Sequence, residues 1–206
     1  MLTLYYARTT CSLATHLALE YAGAPYEAVR LDFKQQQQRS PEYLRINPKG
    51  RVPALVTAQG VLTETPALLQ FVAQSFPKAG LAPLDDVFLL AKMNEFNSYL
   101  CSTVHIAHAH GARGARWSDE PEVIEGLKKK VTQNMTDCFA FIDSQLLRGP
   151  WVLGERFSTS DLYLFTLTRW LPGDQVDVNR FAKVADHTRR MEAQPQVQKV
   201  LAAHSR

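Results

Sequence analysis

One stretch organises this chain: Leu44-Arg45-Ile46-Asn47-Pro48-Lys49-Gly50-Arg51-Val52-Pro53-Ala54-Leu55. Pro48 and Gly50 predict a turn, and Val52-Pro53 then leads into an apolar run. A proline has no N–H to give to a sheet, so Pro53 belongs at a strand start or a sheet edge. If the Val52–Pro53 bond is cis, the backbone N–H and C=O of Val52 point outward and can pair with another peptide. Most X–Pro bonds are trans, so local sequence leaves both isomers open.

The residues around this stretch predict a small mixed sheet with helices on both faces. We expect strands at 2–6 and 26–31, on either side of a helix from Ser12 to Ala22 that ends at Gly23. A short helical turn begins at Pro41, a hairpin follows over 52–62, and a helix runs from Thr65 to Ser75. The order β-α-β followed by β-β-α is the thioredoxin-like arrangement.

The remainder of the chain predicts an all-helical bundle. Pro77 to Pro83 lacks periodicity and is interpreted as a linker. Apolar spacing predicts long helices over 85–110 and 120–147, and shorter helices near 159–171, 178–192 and 195–204. Ser158 and Asp161 predict a capping box, worth about 1 kcal/mol. We therefore expect a two-domain α+β protein with a thioredoxin-like domain over 1–77, a linker over 78–85 and an all-α domain over 86–206.

Composition limits the classes of function. The chain has 206 residues, 46% hydrophobic and 21% charged, and a net charge of +3, which is typical of a globular protein. We expect no membrane span, since no run of about eighteen apolar residues occurs. The only basic cluster, Lys128 to Lys130, predicts a solvated helix face and no nucleic-acid partner. Three cysteines without a C-x-x-C pair, and no basic region before the first strand, predict a cytoplasmic protein without a signal peptide.

Cys11 follows a predicted strand and precedes a predicted helix. The N-terminus of a helix favours an anion, so a thiol there can have a lowered pKa and be partly ionised at neutral pH. The hydroxyls of Thr9, Thr10 and Ser12 could donate hydrogen bonds to the same anion. A lone cysteine is also often just a small buried apolar residue. Local sequence leaves both interpretations of Cys11 open.

The chain resembles the soluble glutathione S-transferases, most closely the bacterial beta class. The resemblance covers nearly the whole chain, and its most specific motifs are Asn47 to Pro53, Leu62-Thr63-Glu64-Thr65 and the cap around Ser158 to Asp161, together with the position of Cys11. It implies a homodimer that uses glutathione as co-substrate and holds no permanently bound cofactor. The implied reaction is conjugation to a small hydrophobic electrophile, or reduction of disulfides and peroxides through a mixed disulfide at Cys11.

The chemistry of glutathione fits the motif residues. Glutathione is a tripeptide with two carboxylates, one ammonium and one thiol, and Val52 can pair with its backbone as a strand would. Glu64 can meet the ammonium, Thr65 at a helix N-terminus can bind the glutamyl carboxylate, and Lys49 or Arg51 can meet the glycyl carboxylate. The family places glutathione on the positions of Cys11, Val52, Glu64 and Thr65. The full predicted glutathione site is Thr10, Lys49, Arg51, Val52, Pro53, Glu64 and Thr65.

Three histidines, His105, His108 and His110, lie on the first predicted helix of the second domain. His105 and His108 share a face but His110 does not, and no nearby carboxylate completes a ligand set, so we expect no metal. The resemblance implies that His105 points into the cleft near Cys11. The predicted catalytic residues are therefore Cys11, Ser12 and His105. The predicted second-substrate pocket is Thr9, His108, Arg113 and Trp117.

The chain departs from the beta class at several positions. Ser98 stands where an asparagine is typical, and Ile106 where a lysine is expected. Arg113 and Arg116 lie in a segment unlike the type and predict a preference for an acidic or polar electrophile. The alternative function is that of a non-catalytic interaction module, since this fold also serves that role. Such chains are expected to lose Cys11 or the Glu64-Thr65 pair, and this chain keeps both.

Overall fold

A four-stranded mixed sheet forms the centre of the first part of the chain. The computed structural model describes residues 1–205. Strand β1 pairs in parallel with β2 and antiparallel with β3, and β3 pairs antiparallel with β4, giving the order β2-β1-β3-β4. The strands span Leu2–Tyr6 (β1), Tyr26–Arg30 (β2), Ala54–Thr57 (β3) and Gly60–Thr63 (β4).

Three helices cover the two faces of this sheet: α1 (Ser12–Tyr21), α2 (Pro41–Ile46) and α3 (Thr65–Ser75). Side chains alternate across a strand, so Leu4 and Tyr6 of β1 pack into the core that contains α1 and α3. Tyr5 points to the opposite face, where its ring lies 5.5 Å from that of Tyr43 in α2. This is the predicted thioredoxin-like arrangement, and we call residues 2–75 the thioredoxin-like part.

The chain from 87 to 205, which we call the helical part, contains seven helices. They are α4 (Val87–Tyr99), α5 (His105–Arg113), α6 (Pro121–Lys129), α7 (Val131–Phe141), α8 (Thr159–Thr168), α9 (Ala182–Glu192) and α10 (Pro195–Ser205). All ten residues of α8 are buried. Helix α1 packs against both α8 and α10, so one core joins the two parts. Within residues 1–205, no helix is long and apolar enough to cross a membrane.

The capping box predicted before α8 is confirmed. Ser158 Oγ accepts from the Ser160 N–H at 3.2 Å, and the Asp161 carboxylate accepts from the Ser158 N–H at 2.8 Å. The same buried carboxylate accepts from the Val152 N–H at 2.8 Å and lies 3.1 Å from His187 Nε2. Asp161 therefore ties the start of α8 to a preceding turn and to α9, which is more than a local cap does.

Several predicted boundaries are wrong. The helix predicted over 85–110 is interrupted by a π turn at Leu100–Val104 between α4 and α5. The helix predicted over 120–147 breaks at Lys130, whose N–H donates to Leu127 O, and it ends in a second π turn at Ile142–Leu146. Apolar periodicity averages over such local changes in winding and cannot locate them.

The domain boundaries stay a prediction. The sequence predicts a thioredoxin-like domain over 1–77, a linker over 78–85 and a helical domain over 86–206. Helix α3 ends at Ser75 and α4 begins at Val87, and between them lies one 3-10 turn at Pro77–Ala79. Strand β3 begins at Ala54, two residues later than the predicted strand, because Pro53 has no N–H for the ladder.

Candidate functional site

A cavity of about 520 Å³ lies between the thioredoxin-like part and the helical part. The thioredoxin-like part contributes the turn after β1, the turn before β3 and the start of α3. The helical part contributes α5, the π turn before it and residues of α8 and the turn that follows. The lining includes Thr9, Thr10, Cys11, Arg51, Val52, Pro53, Glu64 and Thr65 from the first part, and Cys101, His105, His108, Arg113, Arg116, Tyr163 and Trp170 from the second.

Cys11 occupies the N-cap position of α1 and faces this cavity. Its Sγ donates to the Val52 carbonyl at 3.6 Å, and the residue is only 9% exposed. Burial raises the pKa of the Cys11 thiol to about 11, against the opposing effect of a hydrogen bond with Thr65. The raised pKa runs against the lowering that a position at a helix N-terminus predicts, because loss of water around the thiolate disfavours the charged form. Cys11 is a neutral thiol at pH 7.

The structure places Ser12, a predicted catalytic residue, away from the cavity. Ser12 is fully buried, and its Oγ accepts from the Ala7 N–H at 3.2 Å and lies 2.6 Å from Thr10 Oγ1. Thr10 lines the cavity, but its hydroxyl donates to the Ala7 carbonyl at 2.9 Å. Ser12 thus closes the turn between β1 and α1. Successive helix residues are rotated by about 100°, so the Ser12 side chain points into the interior while the neighbouring Cys11 side chain faces the cavity.

The backbone of Val52 presents a free donor at the cavity. The Val52–Pro53 peptide bond is cis. The carbonyl of Arg51 accepts from Tyr43 Oη at 2.6 Å and from Asn47 Nδ2 at 2.7 Å, which fixes the turn before it. Within residues 1–205, the Val52 N–H has no hydrogen-bond acceptor. This N–H can therefore pair with the backbone of a bound peptide.

Glu64 and Thr65 lie where α3 begins. Glu64 is the N-cap residue, with φ of 73°, and Thr65 is the first helical residue, where the sequence predicts the helix to begin. Thr65 is buried and Glu64 is exposed, and both line the cavity. Lys49 Nζ forms an ion pair with the Glu64 carboxylate and donates to Thr63 Oγ1 at 2.8 Å. Lys49 is therefore outside the lining, whereas Arg51, the other predicted cation, is part of it.

His105 and His108 lie on the same wall, as their spacing predicted. The His105 ring packs edge-on against Trp170, with 4.9 Å between centroids, and the His108 ring stacks on the same indole at 4.3 Å. Burial, with the nearby His108 and Arg116, lowers the pKa of His105 to about 4, so its imidazole is neutral at pH 7. His108 Nδ1 lies 2.8 Å from the buried Asp174 carboxylate. No group of three possible metal ligands occurs within residues 1–205.

Trp117 was predicted to line the second-substrate pocket, and the structure places it elsewhere. Its exposed side chain packs edge-on against His110, with 4.6 Å between ring centroids, and neither residue lines the cavity. The α5 helix ends before Trp117, and the following turn carries this ring to the outer side of the helix. Arg113, predicted for the same pocket, does line the cavity, together with Arg116.

The residues that sequence reasoning missed come mostly from the helical part. Tyr163 is fully buried in α8 and lines the cavity together with Cys101, the residue whose thiol interacts with the Tyr163 hydroxyl. Trp170, in the turn after α8, carries both histidines. A tyrosine inside the predicted helix over 159–171, next to Leu162 and Leu164, was the available signal for Tyr163, since a buried hydroxyl normally has a partner. Trp170 had no comparable signal.

Two family models match the chain. The model for the glutathione S-transferase N-terminal domain matches residues 1–74, and the model for the glutathione S-transferase C-terminal domain matches residues 108–204. Among curated proteins, the glutathione S-transferase GstA of Escherichia coli is 30% identical over 203 residues, covering 97% of each chain. A glutathione S-transferase of Xanthomonas campestris is 28% identical, also over 97% of each chain.

Solved structures extend this likeness to the full fold. A glutathione transferase homolog from Sulfitobacter, solved with bound glutathione, is 46% identical and superposes with a TM-score of 0.96 over 98% of each chain. A bacterial beta-class glutathione S-transferase from Sphingomonas chungbukensis is 29% identical, with a TM-score of 0.85 over 98% of each chain. The family models, the sequence relatives and the shared fold agree, and the chain belongs to the glutathione S-transferase family.

Proposed function

We propose that this chain is a glutathione transferase that binds glutathione as co-substrate in the cavity between its two parts. The observation that carries the proposal is that one cavity gathers Cys11, the free N–H of Val52, and the Glu64-Thr65 start of α3. The Sulfitobacter homolog with bound glutathione, 46% identical over nearly the whole chain, supports it. The interaction-module alternative loses support, because this chain keeps each of these groups.

Each end of glutathione meets a suitable group in this cavity. The Val52 N–H pairs with the peptide backbone of the ligand, as an added strand would. Thr65, in the first turn of α3, offers a hydroxyl and a backbone N–H to the glutamyl carboxylate, and Glu64 accepts from the ammonium. Arg51, which lines the cavity, binds the glycyl carboxylate. Lys49 instead forms an ion pair with Glu64 and orients the Glu64 side chain.

The chemical step is the ionisation of the glutathione thiol and its attack on an electrophile. With a pKa of about 11, Cys11 keeps its proton at pH 7, and its S–H, which donates to the Val52 carbonyl in the free protein, can turn to donate to the glutathione sulfur. A hydrogen bond to the charged form lowers a pKa, so this donor favours the glutathione thiolate. The thiol releases its proton to solvent, and the thiolate then forms a bond to the electrophilic carbon while the leaving group departs with its electron pair. The neutral His105 on the opposite wall adds no positive charge at neutral pH.

The same protonation state argues against a mixed disulfide as the main route. Thiol–disulfide exchange requires an attacking thiolate, and only a minute fraction of Cys11 is ionised at pH 7. We therefore infer that Cys11 acts chiefly as a hydrogen-bond donor. Glutathione-dependent reduction of disulfides and peroxides, the other activity expected from the sequence, becomes the slower reaction.

Retention on glutathione resin and conjugation of a neutral aryl halide test the proposal together. We expect the wild type to bind the resin, to elute with free glutathione and to accelerate conjugation. Thr65→Ala should weaken glutathione binding about tenfold, the value of one hydrogen bond to a charged group. Thr188→Ala, which removes a hydroxyl that bonds only within α9, is the matched control. Failure of the wild type to bind glutathione or to conjugate would remove the proposal.

We further propose that the protein is a cytoplasmic homodimer, as the resemblance implies. In that arrangement the thioredoxin-like part of one chain packs on the helical part of the other. Val87 and Phe88, adjacent at the start of α4, are 84% and 72% exposed, which is unusual for apolar side chains in an unpartnered chain. The three cysteines are free thiols, which suits a reducing compartment. Light scattering at micromolar concentration should give the mass of a dimer, and a monomer would refute it.

A further inference from the structure

The cavity has a surplus of positive charge. Of the residues that the structure describes, five arginines line it, and Glu64 is the one carboxylate in the lining and is already paired with Lys49. Within residues 1–205, none of these arginines has an ion-pair partner or a side-chain hydrogen bond to an acidic group. The five are Arg8, Arg39, Arg51, Arg113 and Arg116.

Four of these arginines converge on the same space. The guanidinium of Arg116 has a lowered pKa, through partial burial and through the like charges of Arg51, Arg113 and Arg39. The positive charges of Arg116 and Arg51 also lower the pKa of His105, which places both guanidinium groups near the wall formed by α5. Like charges gathered without an anion raise the energy of the free protein. An anionic ligand in this space would relieve that repulsion.

Bound glutathione accounts for only part of this charge. Its two carboxylates are matched in the proposed complex by the start of α3 and by Arg51, and its ammonium is matched by Glu64. Arg113 and Arg116 belong to the helical part, at the end of α5 and in the turn that follows, so they border the space left for the second substrate. The proposed complex matches every charge of glutathione without either of them.

The surface beside this arginine pair is apolar and aromatic. Ile106, Ala109 and Ala112 of α5 line the cavity, and the Trp170 indole, which also lines it, packs against His105 and His108 of the same helix. An apolar wall favours the body of a ligand by burial of its surface, and two guanidinium groups at its edge favour a carboxylate or similar anion. The two features together define the chemistry of one ligand.

We propose that Arg113 and Arg116 form an anion subsite, and that the second substrate is an electrophile with an apolar or aromatic body and an anionic group. This inference rests on the proposed function and refines the expectation of a small hydrophobic electrophile. In the reaction, the glutathione sulfur bonds to the electrophilic carbon and displaces the leaving group with its electron pair. The anionic group takes no part in bond making and serves only to orient the substrate.

Paired probes test the subsite directly. Chlorodinitrobenzoic acid is an anion at neutral pH, and its methyl ester is a neutral molecule of nearly the same shape. Each enzymatic kcat/KM is divided by the rate of the same probe with free glutathione, which removes the intrinsic difference in reactivity. We expect the corrected ratio of acid to ester to be about tenfold in the wild type, the value of one hydrogen bond between charged groups. Added salt should reduce it.

The double variant Arg113→Gln/Arg116→Gln should bring the ratio to about one, because activity with the acid falls about tenfold further than activity with the ester. Arg180→Gln is the matched control, since Arg180 is exposed and does not line the cavity. Equal corrected rates with acid and ester in the wild type, or a preference that survives in the double variant, would overturn the inference. Continued turnover of the ester in every variant would mean that the proposed function stands even if the subsite does not.

Calorimetric titration of the two probes without glutathione gives a readout that needs no catalysis. Binding of the acid that is tighter than that of the ester, and is lost in the double variant, supports the subsite even if conjugation fails. Equal binding of acid and ester, or acid binding that the double variant retains, overturns it. Loss of glutathione binding in the wild type counts against the proposed function alone, so the two failures are distinguishable.

Discussion

Cys11 should react with oxidised glutathione slowly at neutral pH and much faster in alkali. Burial raises its pKa from 9.0 to about 11, so at pH 7 about one thiol in ten thousand is ionised instead of about one in a hundred. A thiolate of higher pKa is the stronger nucleophile, which restores up to about tenfold of that loss. We therefore expect a rate about tenfold below that of a cysteine with an ordinary pKa.

The perturbation is pH, and the assay is intact mass. The protein is incubated with excess oxidised glutathione at a series of pH values from about 7 to about 10, and the gain of one glutathione is followed in time. The rate should rise about tenfold for each pH unit, with no plateau in this range, since the thiolate fraction does so below its pKa. Cys11→Ala is the control that separates reaction at Cys101 and Cys138, whose pKa values burial also raises.

A rate that levels off below about pH 9 would refute the reasoning. It would mean that Cys11 ionises in the ordinary range or below it, and that the helix N-terminus outweighs burial after all. The mixed-disulfide route would then regain its place beside conjugation. A log-linear rise confined to the wild type would support Cys11 as a protonated donor to the glutathione sulfur.

Three further predictions concern the same thiol and the core. Cys11→Ala should raise the pKa of bound glutathione by about one unit, as lost hydrogen bonds to a charged group imply, and Cys11→Ser by less; ultraviolet titration of the thiolate measures both. Asp161→Ala should lower the free energy of unfolding in urea by about 3 kcal/mol, because it strands buried donors, while Asp186→Ala, which removes a half-exposed surface carboxylate, should cost under about 0.5 kcal/mol. Burial lowers the pKa of His16 to about 4 and of His204 to about 3, so the unfolded chain takes up these protons first. Stability is then complete above about pH 6.5 and falls by up to about 1.4 kcal/mol per pH unit per histidine below it, and His204→Phe should flatten that slope.

The thioredoxin-like part was predictable because its residues mark their own boundaries. Ser40 and Pro41 start α2, and Gly23 follows α1. Each signal is local, since it depends on a cap, a backbone conformation or a missing N–H. The resemblance supplied the same order of elements, so local chemistry and family pattern agreed.

The properties of the site were less predictable, because they depend on contacts between distant residues. The position of Cys11 at a helix N-terminus was visible in the sequence, but its burial depends on neighbours from Val52, from Thr65 and from α8. Ser12 stands beside Cys11 in the chain and still faces the opposite way. Lys49 and Arg51 were equal candidates for the glycyl carboxylate, and the ion pair of Lys49 with Glu64, fifteen residues later in the chain, leaves Arg51.

The π turn at Leu100–Val104 joins α4 and α5 end to end and sets which side of each helix faces the core and which faces the cavity. A π turn accommodates one extra residue, and each residue of an α-helix advances the winding by about 100°. If the same residues continued as a regular α-helix, every side chain from His105 onward would be rotated by about 100° away from its present direction toward the cavity. The π turn thus lets α4 direct its apolar side chains into the core while α5 directs His105 and His108 into the cavity. Removal of the exposed Ser102 should therefore leave a regular helix with the His105 wall still correctly aimed, whereas an inserted residue in α5 itself should turn that wall away.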